Sequence, residues 1–223
     1  MKILLLLLAL PMIGFGQNVN IPDINFKRYL VGNTAINTNG DKEIQVSEAS
    51  AFKGEIDCSE MKISNLTGIE AFTALTELRY YSTQRSLDLS KNTALTSLWC
   101  GGNELTSLDV SKNTALTMLN CSDKKKLTSL DVSKNTALTF LMLYNNQLTS
   151  LDVSKNTALT ELYCGTNQLT SLNVSKNTAL TTLRCFSNQL TSLDLSKNSS
   201  LTDFICAFNE FDCEALKRKY GID

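Results

Sequence analysis

The chain has 223 residues, 21 basic and 22 acidic side chains, a formal charge of −1 and no histidine. The missing histidine excludes Ser-His-Asp and Cys-His catalysis, imidazole metal ligands and imidazole pH sensing. A near-neutral chain with no basic stripe is not built for nucleic acid, and two prolines, Pro11 and Pro22, leave no Pro-rich linker.

Residues 1–16 read as a secretory signal peptide. Lys2 supplies the positive start, Ile3 to Leu10 is an unbroken apolar run, and Gly14-Phe15-Gly16 ends in small residues before Gln17. The run is too short to span a bilayer comfortably. No cysteine follows it directly, which argues against a lipoprotein, and no second apolar stretch of membrane length occurs. The mature chain is therefore expected outside the cytoplasm, whether secreted, periplasmic or at the cell surface, with no membrane insertion after cleavage.

Residues 17–53 are expected to form an N-terminal cap. Ile21 to Leu30 reads as a short amphipathic helix, with Phe26, Tyr29 and Leu30 available to cover the first coil of a stacked body. The next segment runs Asn37-Thr-Asn39-Gly-Asp41-Lys-Glu43-Ile44-Gln45-Val-Ser-Glu48. It resembles the calcium loop of EF-hands and dockerins. That resemblance implies Glu48 as the bidentate twelfth ligand, with Asn37, Asn39 and Asp41 at the first, third and fifth positions. Glu43 would offer its backbone carbonyl and Ile44 the apolar eighth position. Asn37 stands where Asp is usual, and Lys42 where the sharp-turn Gly is usual. The implied calcium affinity is weak, and a plain polar turn is the alternative.

Residues 54–211 repeat. Ser-Lys-Asn triplets place asparagines at 92, 113, 135, 156, 177 and 198, at steps of 21, 22, 21, 21 and 21 residues. One unit runs Leu95-Thr-Ser-Leu98-Trp-Cys100-Gly-Gly-Asn103-Glu-Leu105, then Thr-Ser-Leu108-Asp-Val110-Ser-Lys-Asn113. Its first eleven residues fit LxxLxLxxNxL with Cys in the third apolar slot. On this pattern the chain resembles the leucine-rich-repeat family. The nested second half resembles the 21-residue bacterial IRREKO class, and Ile63-Ser-Asn-Leu66-Thr-Gly-Ile69 resembles an internalin repeat. The implied fold is a β-rich solenoid with short parallel strands on one face and short helical caps at both ends.

The physics agrees. Leu98 and Cys100 are two apart, so in a strand both face inward. A 21-residue unit cannot bury that face alone, and stacking does it. About eight coils, led by Ile56, Leu78, Leu98, Leu119, Leu141, Leu162, Leu183 and Phe204, stack to a body of roughly 35–40 Å at the strand spacing. Asn103, Asn146, Asn167, Asn188 and Asn209 form one column and the triplet asparagines another, both expected to satisfy turn backbone. Asp212 reads as the N-cap of a closing helix from Cys213 to about Tyr220, with Gly221 as its stop, so that 212–223 form the C-terminal cap.

Seven cysteines in an exported chain suggest disulfides. Cys100, Cys121, Cys164, Cys185 and Cys206 instead share one inward slot, which Leu143 fills in the remaining unit and Cys58 in the first coil. A slot that accepts Cys or Leu is a packing slot, so buried free thiols are expected. Cys213, outside the column, could approach Cys206.

The variable slots flank the inward strand residues. The middle column reads Arg79, Trp99, Asn120, Met142, Tyr163, Arg184 and Ile205, with Phe140 ahead of it and Tyr81, Tyr144 and Phe186 behind it. These side chains alternate with the core and face outward, on the sheet that lines the concave side in this family. Trp, Tyr and Arg are the hot-spot residue types, and aromatics exposed in one patch are costly. The expected binding set is Arg79, Trp99, Asn120, Phe140, Met142, Tyr144, Tyr163, Arg184 and Phe186, for a protein or a glycan. The opposite edge carries an acidic ladder, Asp88, Asp109, Asp131, Asp152, Asn173 and Asp194. A lysine ladder lies three residues on, from Lys91 to Lys197, with serines such as Ser150 and Ser171 nearby. The lysines are expected to neutralise the carboxylates. The alternative function is a repetitive surface for polysaccharide, ice or mineral. No converging acid pair or activated nucleophile is legible, so no enzyme is expected, and the chain is expected to be a monomer.

Overall fold

Six apolar positions per 21-residue unit dictate the architecture. In the unit from Leu95 to Val110, Leu95, Leu98, Cys100, Leu105, Leu108 and Val110 are all buried, and the equivalents recur in the later coils. The computed structural model describes residues 16–81, 85–102, 104–123 and 126–222. The signal peptide expected over 1–16 therefore lies outside the described residues except for Gly16, as does Asn103. Eight three-residue strands form one parallel sheet in sequence order. They are β1 Glu55–Asp57, β2 Glu77–Arg79, β3 Ser97–Trp99, β4 Met118–Asn120, β5 Phe140–Met142, β6 Glu161–Tyr163, β7 Thr182–Arg184 and β8 Asp203–Ile205. Ile56, Leu78, Leu98, Leu119, Leu141, Leu162, Leu183 and Phe204 are aligned across it, one per coil and all inward.

Three side-chain columns tie the coils together. Asn156 is fully buried and donates from Nδ2 to Val132 O (3.0 Å) and Asn135 O (2.9 Å). Asn92, Asn113, Asn135, Asn177 and Asn198 make the same two-carbonyl contact, each with the coil before its own. On the other edge, Asn167 donates to Leu143 O, Cys164 O and Gly165 O while its Oδ1 accepts from Leu148 N. The third column was not read from sequence. Thr117, Thr139, Thr160, Thr181 and Thr202 each donate a hydroxyl to the threonine carbonyl of the preceding coil. Its signal was a threonine that never changes at one repeat position.

Helix α1 spans Ile24–Gly32 rather than starting at Ile21, because Asp23 caps it by accepting from Asn25 N and Phe26 N. The second oxygen of Asp23 accepts from Ser64 N, Ser64 Oγ and Asn65 N, and so binds the cap to the first repeats. A second short helix, α2 (Val46–Ala51), starts in a capping box between Gln45 and Glu48. At the far end α3 spans Cys213–Tyr220, capped by Asp212 and stopped by left-handed Gly221.

Two expectations need correction here. Cys206 is not a free thiol but is disulfide-bonded to Cys213. Cys58, Cys100, Cys121, Cys164 and Cys185 are buried and outside that disulfide, with the Cys100 and Cys121 sulfurs 3.7 Å apart. Cys206 belongs to the last described coil, so its slot faces Cys213 of α3 instead of a further coil, and a Cα separation of 5.6 Å lies in the range a disulfide accepts. The second correction concerns the acidic ladder. Asp109, Asp131, Asp152 and Asp194 each accept from the backbone N–H of the serine two residues on, at 2.8–2.9 Å. Those hydrogen bonds, more than the lysines, hold the carboxyls below their ordinary range. Among the described residues no ion pair joins the two ladders. Neutral Asn173 fills the slot equally well, accepting from Ser175 N at 3.0 Å. The slot therefore selects a turn-forming acceptor rather than a charge.

Candidate functional site: the concave aromatic face

Strand positions on either side of each inward leucine point away from the core, so β3 to β7 build one continuous surface. On it Trp99 and Phe140 lie 5.9 Å apart, near parallel, across β4. Phe140 meets Tyr163 at 5.4 Å, Tyr163 meets Tyr144 at 5.7 Å, and Tyr144 meets Phe186 at 5.5 Å. Five rings from four coils thus form an unbroken chain. The Arg79 guanidinium sits 5.3 Å from the Trp99 ring and that of Arg184 5.7 Å from Tyr163. Met142 is half-buried on β5 beside the rings.

Glycine makes the packing possible at two points. A Cβ on Gly165 would lie 2.8 Å from Phe186 Cε1, so the ring rests against bare backbone. Tyr81 lies against Gly101 in the same way, with 3.0 Å from its Cε1 to a Cβ there. Tyr81 was not among the expected binding residues; a glycine one coil away in its own column was the available signal.

The polar ends of these residues are largely committed. Trp99 Nε1 donates to Ser97 Oγ at 3.1 Å. Tyr163 Oη donates to Glu161 Oε2; burial and that hydrogen bond push the phenol up to about 12. Arg79 pairs with Glu55, and Arg184 with Asp203 at 2.7 Å. Asn120, expected as an outward contact, is instead only 6% exposed and turns its Oδ1 to Ser122 N. It belongs to the floor of the face, because its short side chain folds back onto its own turn.

The N-terminal loop is closed by its own hydrogen bonds. Asn37, Asn39 and Asp41 accept from Gly40 N, Asp41 N and Glu43 N respectively. The Glu43 side chain pairs with Lys27 at 2.7 Å. Glu48 accepts from Thr38 N, Thr38 Oγ1 and Asn39 N on one oxygen and from Gln45 N on the other. Burial raises the Glu48 pKa, but these bonds together outweigh it and leave the carboxyl below its usual value. The five residues of the EF-hand-like pattern are thus gathered in one loop, with their oxygens turned to loop N–H groups and to Lys27.

Comparison with known proteins bears on the repeat fold. A family of leucine-rich repeats (two copies) matches residues 136–177. The functional domain of InlJ from Listeria monocytogenes, which includes a cysteine ladder, is 31% identical with a TM-score of 0.58. The match covers 91% of this chain and 56% of that one. Internalin C2 from Listeria monocytogenes is 18% identical with a TM-score of 0.79, over 92% and 94% of the two chains, a likeness of fold alone. A leucine-rich-repeat protein of Leptospira interrogans is 25% identical with a TM-score of 0.63, over 71% of this chain and 45% of that one. No curated protein matches significantly. The chain spans about half the length of the InlJ functional domain and of the Leptospira protein. It is a leucine-rich-repeat protein of the bacterial type. Among the described residues no helix is long and apolar enough to cross a membrane.

Proposed function

We propose that this chain is an exported binding module that holds a protein partner on its concave sheet, with no catalytic step. The observation that carries the reading is the continuous ring chain from Trp99 through Phe140, Tyr163 and Tyr144 to Phe186. Half-buried aromatics gathered on one face have the composition of an interface centre. Their committed polar ends favour protein over glycan. Stacking on sugars needs free donors and acceptors beside the rings to read hydroxyls. Here Trp99 Nε1, Tyr163 Oη, Arg79 Nε and Arg184 are already engaged by Ser97, Glu161, Glu55 and Asp203. What is offered is ring surface, suited to apolar side chains of a partner. The apolar run behind Lys2 supports export.

The test separates binding from stability. Trp99→Ala and Tyr163→Ala should melt close to wild type, because neither side chain reaches the core. Both should lose about 2 kcal/mol or more of affinity, the hot-spot scale. Capture from cell-surface extract by wild type and not by Trp99→Ala, with a glycan array blank for both, would bear this out. Equal capture by a normally folded Trp99→Ala chain would move the function off this face.

A further inference from the structure

The two ends of the sheet are finished differently. In each earlier coil the residue after the strand donates its N–H to the next coil. Cys58, Tyr80, Cys100, Cys121, Leu143, Cys164 and Cys185 do so at 2.7–3.0 Å. Ser187 N and Asn188 N continue the ladder to Ala207 O and Phe208 O, and Thr181 O accepts from Thr202 N and Asp203 N. After β8 the chain forms α3 rather than a ninth strand. The counterparts Cys206 N, Phe208 N and Asn209 N, and Thr202 O, have no partner among the described residues. At the other end, Asp57 N at the end of β1 donates to the Tyr29 hydroxyl of α1 at 3.2 Å.

The open edge also carries an apolar side chain in an unfavourable place. The slot two residues beyond the column cysteine reads Gly102, Asp123, Asn145, Thr166, Ser187 and finally Phe208, every one at φ between 53° and 64°. Left-handed backbone suits Gly, Asn and Asp and disfavours bulky side chains. Phe208 sits there at φ 59° and is 82% exposed. Ile205 on the same edge is 37% exposed, and Ala207 is exposed between them. Among the described residues no side chain covers Phe208.

We propose that this edge is a dimer interface, with two copies of the chain pairing β8 to β8 about a two-fold axis. The edge is self-complementary. It offers donors and acceptors from one strand, so each copy satisfies the other, as an isologous contact requires. The one charge on β8, Asp203, is neutralised by Arg184 and does not repel its symmetry mate. Head-to-tail stacking of β8 on β1 is opposed by the Tyr29 contact. This departs from the monomer expected from sequence.

Sedimentation velocity on the purified, non-reduced chain from about 1 to about 100 µM tests the proposal. The expected result is a concentration-dependent dimer, at least tenfold weaker in Phe208→Asn and in Ile205→Ser. Phe208→Asn restores the residue type that the left-handed slot carries in other coils, so its melting temperature should hold or rise while the dimer is lost. Trp99→Ala should sediment as wild type, which separates this edge from the concave face. A chain that stays monomeric throughout overturns the proposal and leaves the edge to a strand of another protein. A dimer indifferent to Phe208→Asn overturns it as well.

Discussion

Phe186 lies across Gly165, with its ring edge where a Cβ would be, 2.8 Å from Cε1. The contact joins neighbouring coils and brings Phe186 within 5.5 Å of Tyr144, one coil further back. A residue without a side chain therefore shapes the aromatic face. Gly165→Ala should swing Phe186 outward and break its contact with Tyr144. Phe186 is half-exposed and can move, so the stability cost should stay near the low end of overpacking, about 1 kcal/mol. Partner affinity should fall by about tenfold, or ~1.4 kcal/mol. Thermal melts beside a binding titration check the pair, and an unchanged affinity would remove Phe186 from the interface.

Asn156→Ala should destabilise the chain far more than any substitution on the concave face. It strips the partner from Val132 O and Asn135 O, both inside the solenoid. A buried group left unsatisfied costs about 1–3 kcal/mol, so a loss of roughly 2–5 kcal/mol is expected in urea unfolding. Asp at the same position should do no better, since a carboxylate cannot donate to either carbonyl. A loss below about 1 kcal/mol would mean that water replaces the amide.

Alkylation under native, non-reducing conditions should spare every cysteine, for two different reasons. Cys58, Cys100, Cys121, Cys164 and Cys185 are buried, and burial pushes the Cys185 thiol up to about 12, leaving almost no thiolate near neutrality. Denaturation alone should expose these five. Cys206 and Cys213 should label only after reduction. Mass spectrometry of the labelled chain distinguishes the sets, and rapid native labelling at Cys121 would contradict the column.

Acid should loosen the N-terminal cap. Burial raises Asp23 and Glu48, yet the hydrogen bonds each accepts outweigh it and hold both below their ordinary values. Their contribution is therefore fully present above the unfolded carboxyl values near 4 and is lost as pH falls through the lower folded values. The melting temperature should be flat at neutral pH and drop below about pH 4, with a smaller drop in Asp23→Asn, which starts from a lower plateau.

Calcium is the direct test of the same loop. A bidentate ion on Glu48 would have to displace the four hydrogen bonds that its carboxylate accepts from Thr38, Asn39 and Gln45. Millimolar calcium should therefore leave the melting temperature unchanged, while Glu48→Gln lowers it with or without the ion. A calcium-dependent rise that Glu48→Gln erases would instead assign the ion to Asn37–Glu48, because a ligand selective for the folded state stabilises it.

The sequence by itself determined the periodic part of this protein. A 21-residue repeat with inward Leu98 and Cys100 equivalents admits one way of burying its apolar face. That single solution brings the eight aligned strand residues from Ile56 to Phe204, both asparagine columns, the outward aromatic slots and the α3 caps at Asp212 and Gly221. Tertiary structure decided what depends on distance between coils or on an end. Trp99 and Phe140 are 41 residues apart and become neighbours only because the coils stack in register. Cys206 leaves the thiol column because α3 follows its coil and brings Cys213 to it. Asn120 sinks into the floor while its column neighbours stay half-exposed. Repetition announces which residues share an environment. It cannot announce how the first and last copies, which lack a neighbour, make good the missing contacts.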